Sequence, residues 1–170
     1  AEDMKILRNI NNAIVSVLEV LCLCMVLVYT GVVVFQVLAR NYFLISVPWT
    51  DEVALILFVW TVFLGAAVAV RHKAHFIVDL FSADRVRLNT FLDVVAGFFV
   101  LAMVLVLFYG GILFMPMGLS KTFSSIRVSQ GWLYISMPVA SGCMLLFTLE
   151  NIVNDLQKLH RVFRGETANG

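Results

Sequence analysis

The sequence predicts an all-α integral membrane protein with four transmembrane helices, and three observations lead to this fold class. First, 61% of the 170 residues are hydrophobic and only 14% are charged, which lies outside the range of soluble domains. Second, the charges collect in short islands between apolar runs long enough to cross a hydrocarbon core of about 30 Å. Third, fourteen Phe, three Trp and four Tyr suit a lipid-facing surface with interfacial aromatics.

We expect one membrane domain over residues 1–170, because no segment outside the apolar runs is long enough to bury a core of its own. The first span covers about 13–39 and is closed by Arg40. Its 27 or so residues would make a helix of about 40 Å, so it must tilt or protrude. This run is too long for a cleavable signal peptide, and we expect none.

The second span covers about 50–70. Pro48 is excluded from a helix interior, Trp49 suits the membrane interface, and Thr50 is a reasonable N-cap. Asp51 and Glu52 then fall in the first turn, where their negative charge meets the positive end of the helix dipole.

The third span covers about 91–114 and is expected to stop at Pro116. The fourth covers about 131–152, with an early kink at Pro138. Between the second and third spans, residues 76–81 are amphipathic but too few to cross a membrane, and they predict a short helix lying along the interface.

The distribution of Lys and Arg predicts that both termini are cytoplasmic. Of the twelve such residues, three fall on one side of the predicted spans, and the positive-inside rule makes that side periplasmic. These three are Arg40, Lys121 and Arg127. The other nine fall on the opposite side: Lys5, Arg8, Arg71, Lys73, Arg85, Arg87, Lys158, Arg161 and Arg164.

Few residues point to chemistry. Glu19 is interpreted as the one acidic residue well inside a span, either as a proton or cation site or as a carboxylate close to the cytoplasmic interface. His72, His75 and Asp79 allow a metal site, but beside a basic run they are more typical of a solvated helix end. No phosphate-binding loop and no nucleophile paired with a base is present, so we expect no enzyme and no cofactor.

Several other residues suggest contacts between helices. Gly65 and Ala69 lie four residues apart, the spacing that lets helix backbones approach closely in lipid, either within the chain or between subunits. Gly97, Gly110 and Gly111 suggest similar approaches on the third span. Arg40 either pairs with Asp51 or Glu52 or is solvated independently.

Four short motifs together resemble a known family, the small membrane (Q) subunit of TRAP transporters, the tripartite ATP-independent periplasmic transporters. They are Q-V-L-A-R at 36–40, W-T-D-E at 49–52, F-L-G at 63–65 and A-V-R-H-K-A-H-F-I-V-D at 69–79. The resemblance implies roles in helix packing and interface anchoring, not in ion coordination, for six residues that match family motif positions: Trp49, Glu52, Gly65, Arg71, His75 and Asp79. Gln36, Arg40 and Ala69 lie in the same motifs, and we count them with these six as candidates for the subunit interface or for a structural role.

The resemblance also implies partners and a location. A small subunit of this kind is a static scaffold in the bacterial inner membrane, beside a large membrane subunit that carries the substrate and sodium sites. A periplasmic binding protein delivers an organic acid such as a sialic acid or a C4-dicarboxylate. Lys121 and Arg127, in the longer periplasmic connection, are then candidates for docking that protein, and no substrate site is expected on this chain.

Two other functions remain open at this point. A small multidrug-resistance-type exporter also has four helices and a carboxylate in the first one, but it would work without a partner. A membrane anchor of a respiratory complex, with or without haem, is the second alternative. All three His lie outside the predicted spans, which argues against haem held within the bilayer.

Overall fold

The computed structural model describes residues 2–72 and 86–163, with side chains for 11–72 and 92–160. Its helices are α1 (Glu2–Tyr42), α2 (Pro48–Arg71), α3 (Val86–Leu119), α4 (Gly131–Tyr134) and α5 (Ser136–Phe163). Within the described residues, four helical segments are long and apolar enough to cross a membrane. The predicted fold class is confirmed, although the structure contains no membrane and leaves the side of each terminus as a prediction. The predicted interfacial helix at 76–81 lies outside the described residues.

The four long helices pack in a row in the order α1, α2, α5, α3, and α1 also touches α5 near Asn11. Helix α2 packs between α1 and α5, and α5 packs between α2 and α3, whereas α1 and α3 do not meet in the described part of the chain. A small core of buried side chains holds the row together, centred on Leu64, Ala67, Ala140 and Phe147. Because a single row leaves two broad faces uncovered, most of the apolar surface of α1 and α3 is exposed.

Helix α2 begins two residues earlier than predicted. Val47 occupies the N-cap position and Pro48 the first turn, where the missing N–H of proline costs nothing. Thr50 is therefore not the N-cap. Its hydroxyl instead donates a hydrogen bond of 2.6 Å to the Val47 carbonyl oxygen. The preceding turn uses Leu44 in a left-handed conformation, with a φ of 52°.

The two prolines of the later helices behave differently. Pro116 lies inside α3, which continues to Leu119, so the expected stop at Pro116 is wrong. A proline lacks the N–H for one intrahelical bond, and here the helix tolerates that loss near its end. Ahead of Pro138, by contrast, the fourth span is interrupted at Ile135, between α4 and α5. The Trp60 indole donates 2.9 Å to the Trp132 carbonyl oxygen beside this interruption.

Glycines allow α3 to approach its neighbours closely. A β-carbon placed on Gly111 would lie 2.9 Å from the ring of Pro138, and one on Gly97 would lie 3.0 Å from Ile152. Both distances are shorter than normal carbon contacts. The expected close approach is therefore observed at these two positions, whereas Gly110 has only an ordinary contact of 3.9 Å with Met137.

Candidate functional sites at the two ends of helix α2

A buried polar cluster joins three helices at the C-terminal end of α2. Arg71 lies in the last turn of α2, and its Nη1 is 2.9 Å from Oε1 of Glu150 on α5. Its Nη2 donates 2.6 Å to Oδ1 of Asn12 on α1. The second oxygen of Glu150 accepts a hydrogen bond from the side chain of Asn11. The Glu150 carboxylate, only 3% exposed, is thus held by a charged partner and a neutral one, as a buried ion requires.

Asn151 adds a fourth contact to this cluster. Its Nδ2 donates 3.0 Å to the carbonyl oxygen of Val70, one of the last carbonyls of α2, where a helix no longer supplies the regular N–H donor one turn ahead. The side chains of Arg71, Glu150 and Asn151 therefore fix both the direction and the rotation of α2 against α5.

Glu150 is a buried charged residue of the cluster that the sequence pattern does not single out. It falls inside the predicted span 131–152, whereas the sequence points to Glu19 as the one acidic residue well inside a span. In the structure Glu19 is 47% exposed, and its Oε1 lies 2.7 Å from Nε2 of His72, which is 57% exposed. A carboxylate so exposed beside a histidine fits a position near the membrane interface better than a buried ion site.

The proposed metal ligands are not brought together in the described residues. His72 is engaged with Glu19, whereas His75 and Asp79 lie outside the described part of the chain. The metal hypothesis at 72–79 therefore stays untested.

The other end of α2 is fixed by Glu52. Its carboxylate accepts hydrogen bonds from the backbone N–H of Ser125, at 2.9 and 3.1 Å, and from that of Ile126, at 2.9 Å. Consecutive N–H groups of this kind form a concavity suited to an anion. Glu52 thus ties the connection between α3 and α4 to the start of α2, across 73 residues of sequence.

The connection at 120–130 is an ordered loop closed on itself. An antiparallel bridge pairs Thr122 with Ser129, and the backbone N–H of Phe123 donates 2.9 Å to the Val128 carbonyl oxygen. Arg127 turns the chain with a φ of 52°. Both docking candidates, Lys121 and Arg127, are exposed on this loop.

The suggested pairing of Arg40 with an acidic residue of α2 is wrong for the described residues. Glu52 is occupied by the loop, and Asp51 Oδ1 instead accepts 2.6 Å from Nε2 of Gln36. Trp49 packs near Phe35, with ring centroids 6.4 Å apart. Gln36 and Trp49 thus join the beginning of α2 to the end of α1, while Arg40 is exposed.

Among the described residues, Gly65 takes part in no close helix contact. A β-carbon placed on it meets no atom of the described residues within 4 Å. A close contact within the described part of the chain is therefore not observed at Gly65, and the alternative, a contact between subunits, stays a prediction.

Chemically, these sites hold helices and a loop in place. We call the Arg71–Glu150 cluster and the contacts between Glu52 and the loop the two anchors of α2. The carboxylates of Glu150 and Glu52 both have protein donors as partners, and the described residues contain no group of three metal-ligating side chains. What the arrangement achieves is a fixed α2, with a polar anchor at each end and an apolar stretch between.

Comparison with known proteins agrees with this picture of a membrane subunit. The sequence profile described as "Tripartite ATP-independent periplasmic transporters, DctQ component" matches residues 29–158. The Vibrio cholerae "Sialic acid TRAP transporter small permease protein SiaQ" is 27% identical over 163 residues, which cover 92% of this chain and 89% of that protein. The Haemophilus influenzae "Sialic acid TRAP transporter permease protein SiaT" is 27% identical over 128 residues, which cover 68% of this chain.

The aligned part spans only 19% of the length of the Haemophilus influenzae protein, so that relative is a much larger permease. The profile match, in contrast, extends from Tyr29 in α1 to Lys158 in α5 and includes Glu52, Arg71 and Glu150. The resemblance of the four motifs is thereby confirmed: this multi-pass membrane protein belongs to the DctQ component family of the tripartite ATP-independent periplasmic transporters.

Proposed function

We propose that this chain is the small scaffold subunit of a sodium-driven TRAP transporter in the bacterial inner membrane. It pairs with a large membrane subunit and docks a periplasmic protein that delivers an organic acid. A sialic acid is the first substrate to test, because the two relatives described above are named for it, and a C4-dicarboxylate is the second.

The observation that carries this proposal is the anchoring of α2 at both ends within a family member. The Arg71–Glu150 pair fixes one end, and the three hydrogen bonds to Glu52 fix the other. A helix restrained in this way suits a static wall, against which the mobile part of a partner can move. The single row of helices supports the same role, since a row offers a broad face to a second protein.

The loop at 120–130 is the proposed docking surface for the binding protein. The bridge between Thr122 and Ser129 and the contacts to Glu52 hold its backbone. Exposed Lys121 and Arg127 give it positive charge, which attracts an acidic patch and mainly accelerates association. A preformed loop also loses little conformational entropy when a partner binds.

The test is uptake of labelled sialic acid by proteoliposomes that hold this chain, the large membrane subunit and the binding protein, with an inward sodium gradient. We expect uptake only when all three proteins and the gradient are present. Transport of a cationic drug by this chain alone would instead support the exporter, and a haem spectrum in the purified chain would support the respiratory anchor.

Charge reversal tests the docking surface. We expect Lys121→Glu and Arg127→Glu each to weaken binding of the periplasmic protein by about twofold to fivefold, the usual worth of one exposed charge. The matched control is Lys158→Glu, which reverses an exposed charge near the C-terminal end of α5, at the opposite end of that helix from the loop. Binding measured by surface plasmon resonance on the membrane complex should fall only for the two loop variants. Equal affinities for all three would remove the loop from the docking surface.

A further inference from the structure

One exposed face of α2 is built differently from the rest of the outer surface. Leu55, Phe58 and Val62 are 46%, 49% and 50% exposed, and Gly65 and Ala69 continue the same spacing of three and four residues. Residues at this spacing share one side of a helix. We call these five residues the α2 stripe.

The α2 stripe contains a notch. The β-carbon position of Gly65 is open among the described residues, while bulky side chains stand one turn away at Val62 and two turns away at Phe58. Glycine in a helix interior is less favourable than alanine, and no contact within the described chain makes use of its small size. A notch of this kind lets the backbone of another membrane helix approach closely.

A second and independent observation concerns the ends of the stripe. One helical turn before Leu55 lies Asp51, bonded to Gln36, and one turn after Ala69 lies His72, bonded to Glu19. Both carboxylates are on exposed residues, and within the described residues one oxygen of each accepts a hydrogen bond. Asp51 and His72 are separated by about 32 Å along the helix, roughly the hydrocarbon thickness.

The polar ends and the notch together favour a protein occupant over lipid. Each of the two carboxylates has an oxygen that accepts no hydrogen bond from the described residues, and a helix with Lys, Arg or amide side chains near its two ends would supply donors to both. The outward face of α3 offers a contrast. There Phe99, Met103 and Val106 are 72%, 70% and 71% exposed, a bulky apolar surface suited to lipid.

We propose that the α2 stripe is the surface on which a transmembrane helix of the large membrane subunit packs, with basic or amide side chains of that helix meeting Glu19 and Asp51. This inference rests on the proposed function for the existence of the large subunit. It adds which face of this chain that subunit covers and what chemistry the covering helix carries.

Co-purification of the large subunit with the tagged chain from co-expressing membranes tests the stripe. Gly65→Leu fills the notch, and Gly31→Leu is the matched control, because the β-carbon position of Gly31 is equally open. Gly31 follows Tyr29 by two residues, so it points away from the side of α1 where Tyr29 meets Phe58. Gly65→Ala tests whether a small side chain is still accepted.

We expect Gly65→Leu to lower recovery of the large subunit by at least about tenfold, while Gly31→Leu and Gly65→Ala stay within about twofold of the wild type. Thermal unfolding of the isolated Gly65→Leu chain should match that of Gly31→Leu, since neither side chain meets another described residue. Recovery of Gly65→Leu at the wild-type level would overturn the stripe as the interface. If the wild-type chain itself recovers no large subunit, the proposed function fails first.

Disulfide or bismaleimide cross-linking gives a second readout that does not depend on disrupting the complex. In a chain whose three native cysteines are replaced, Val62→Cys should cross-link to single cysteines placed along the helices of the large subunit. Val106→Cys, on the outward face of α3, should not. Cross-links from Val106→Cys without any from Val62→Cys would assign the interface to α3 and contradict the proposal.

Discussion

Removing Arg71 should destabilise the isolated chain strongly, because Glu150 is almost completely buried. In Arg71→Met the aliphatic part of the side chain is largely retained, but the ion pair at 2.9 Å and the bond to Asn12 are lost. Among the described residues, Glu150 then keeps only its hydrogen bond from Asn11. Leaving one member of a buried ion pair without its partner typically costs about 3–5 kcal/mol, and we expect a loss of this size.

The double variant separates the ion pair from the rest of the site. Replacing Glu150 by Met in the Arg71→Met background removes the stranded charge and fills a similar volume with apolar atoms. Such replacements of whole buried pairs are often neutral or stabilising. We therefore expect the double variant to recover most of the free energy of unfolding that Arg71→Met loses, and the double-mutant cycle to give a coupling of about 2 kcal/mol or more.

Equilibrium unfolding of the detergent-solubilised chain, followed by tryptophan fluorescence, measures these free energies. Arg40→Met is the control, since Arg40 is exposed and makes no ion pair in the described part of the chain. That variant should stay within about 0.5 kcal/mol of the wild type. If Arg71→Met loses less than about 1 kcal/mol, or if the double variant loses the sum of both single effects, the buried pair does not hold α2 to α5 as described.

Two further perturbations test the close helix contact and the outer anchor. Gly111→Ala should lower the free energy of unfolding by about 1–3 kcal/mol, because its β-carbon would overlap Pro138, whereas Gly110→Ala should be neutral or stabilise by up to about 1 kcal/mol; equal effects would contradict this packing. Glu52→Ala should speed hydrogen exchange of the Ser125 and Ile126 amides by at least about tenfold. Its neighbour Asp51→Ala should leave those amides protected, and unchanged exchange in Glu52→Ala would argue against the anchor.

The sequence predicted the helical class and the four spans because hydropathy over about twenty residues directly reflects the thickness of a bilayer. The sequence predicted much less well which side of each helix packs against its neighbours. Glu19 and Glu150 both lie inside apolar spans, but Glu150 faces neighbouring helices and Glu19 lies largely exposed. Depth along a helix can be read from the sequence, whereas rotation about its axis depends on which neighbours pack against it.

Distance along the chain was also a poor guide to polar partners. Arg40 and Glu52 are close in sequence and opposite in charge, which made their pairing reasonable. The Glu52 carboxylate instead binds backbone N–H groups 73 and 74 residues away. Backbone donors are present at every residue except proline, so no side-chain pattern marks the loop that will supply them.

These contacts explain how α2 can have a definite rotation in the membrane. The helix is apolar nearly all round between Ala54 and Val70, so a hydrophobic face cannot orient it, and lipid competes with neighbouring helices for every apolar side chain. The polar contacts at its ends act differently, because Arg71 reaches Glu150 and Glu52 reaches the loop in one rotational setting of the helix. That setting leaves Gly65 and the α2 stripe facing outward. The anchors thus determine which face of α2 is offered to a partner, although neither anchor belongs to that face.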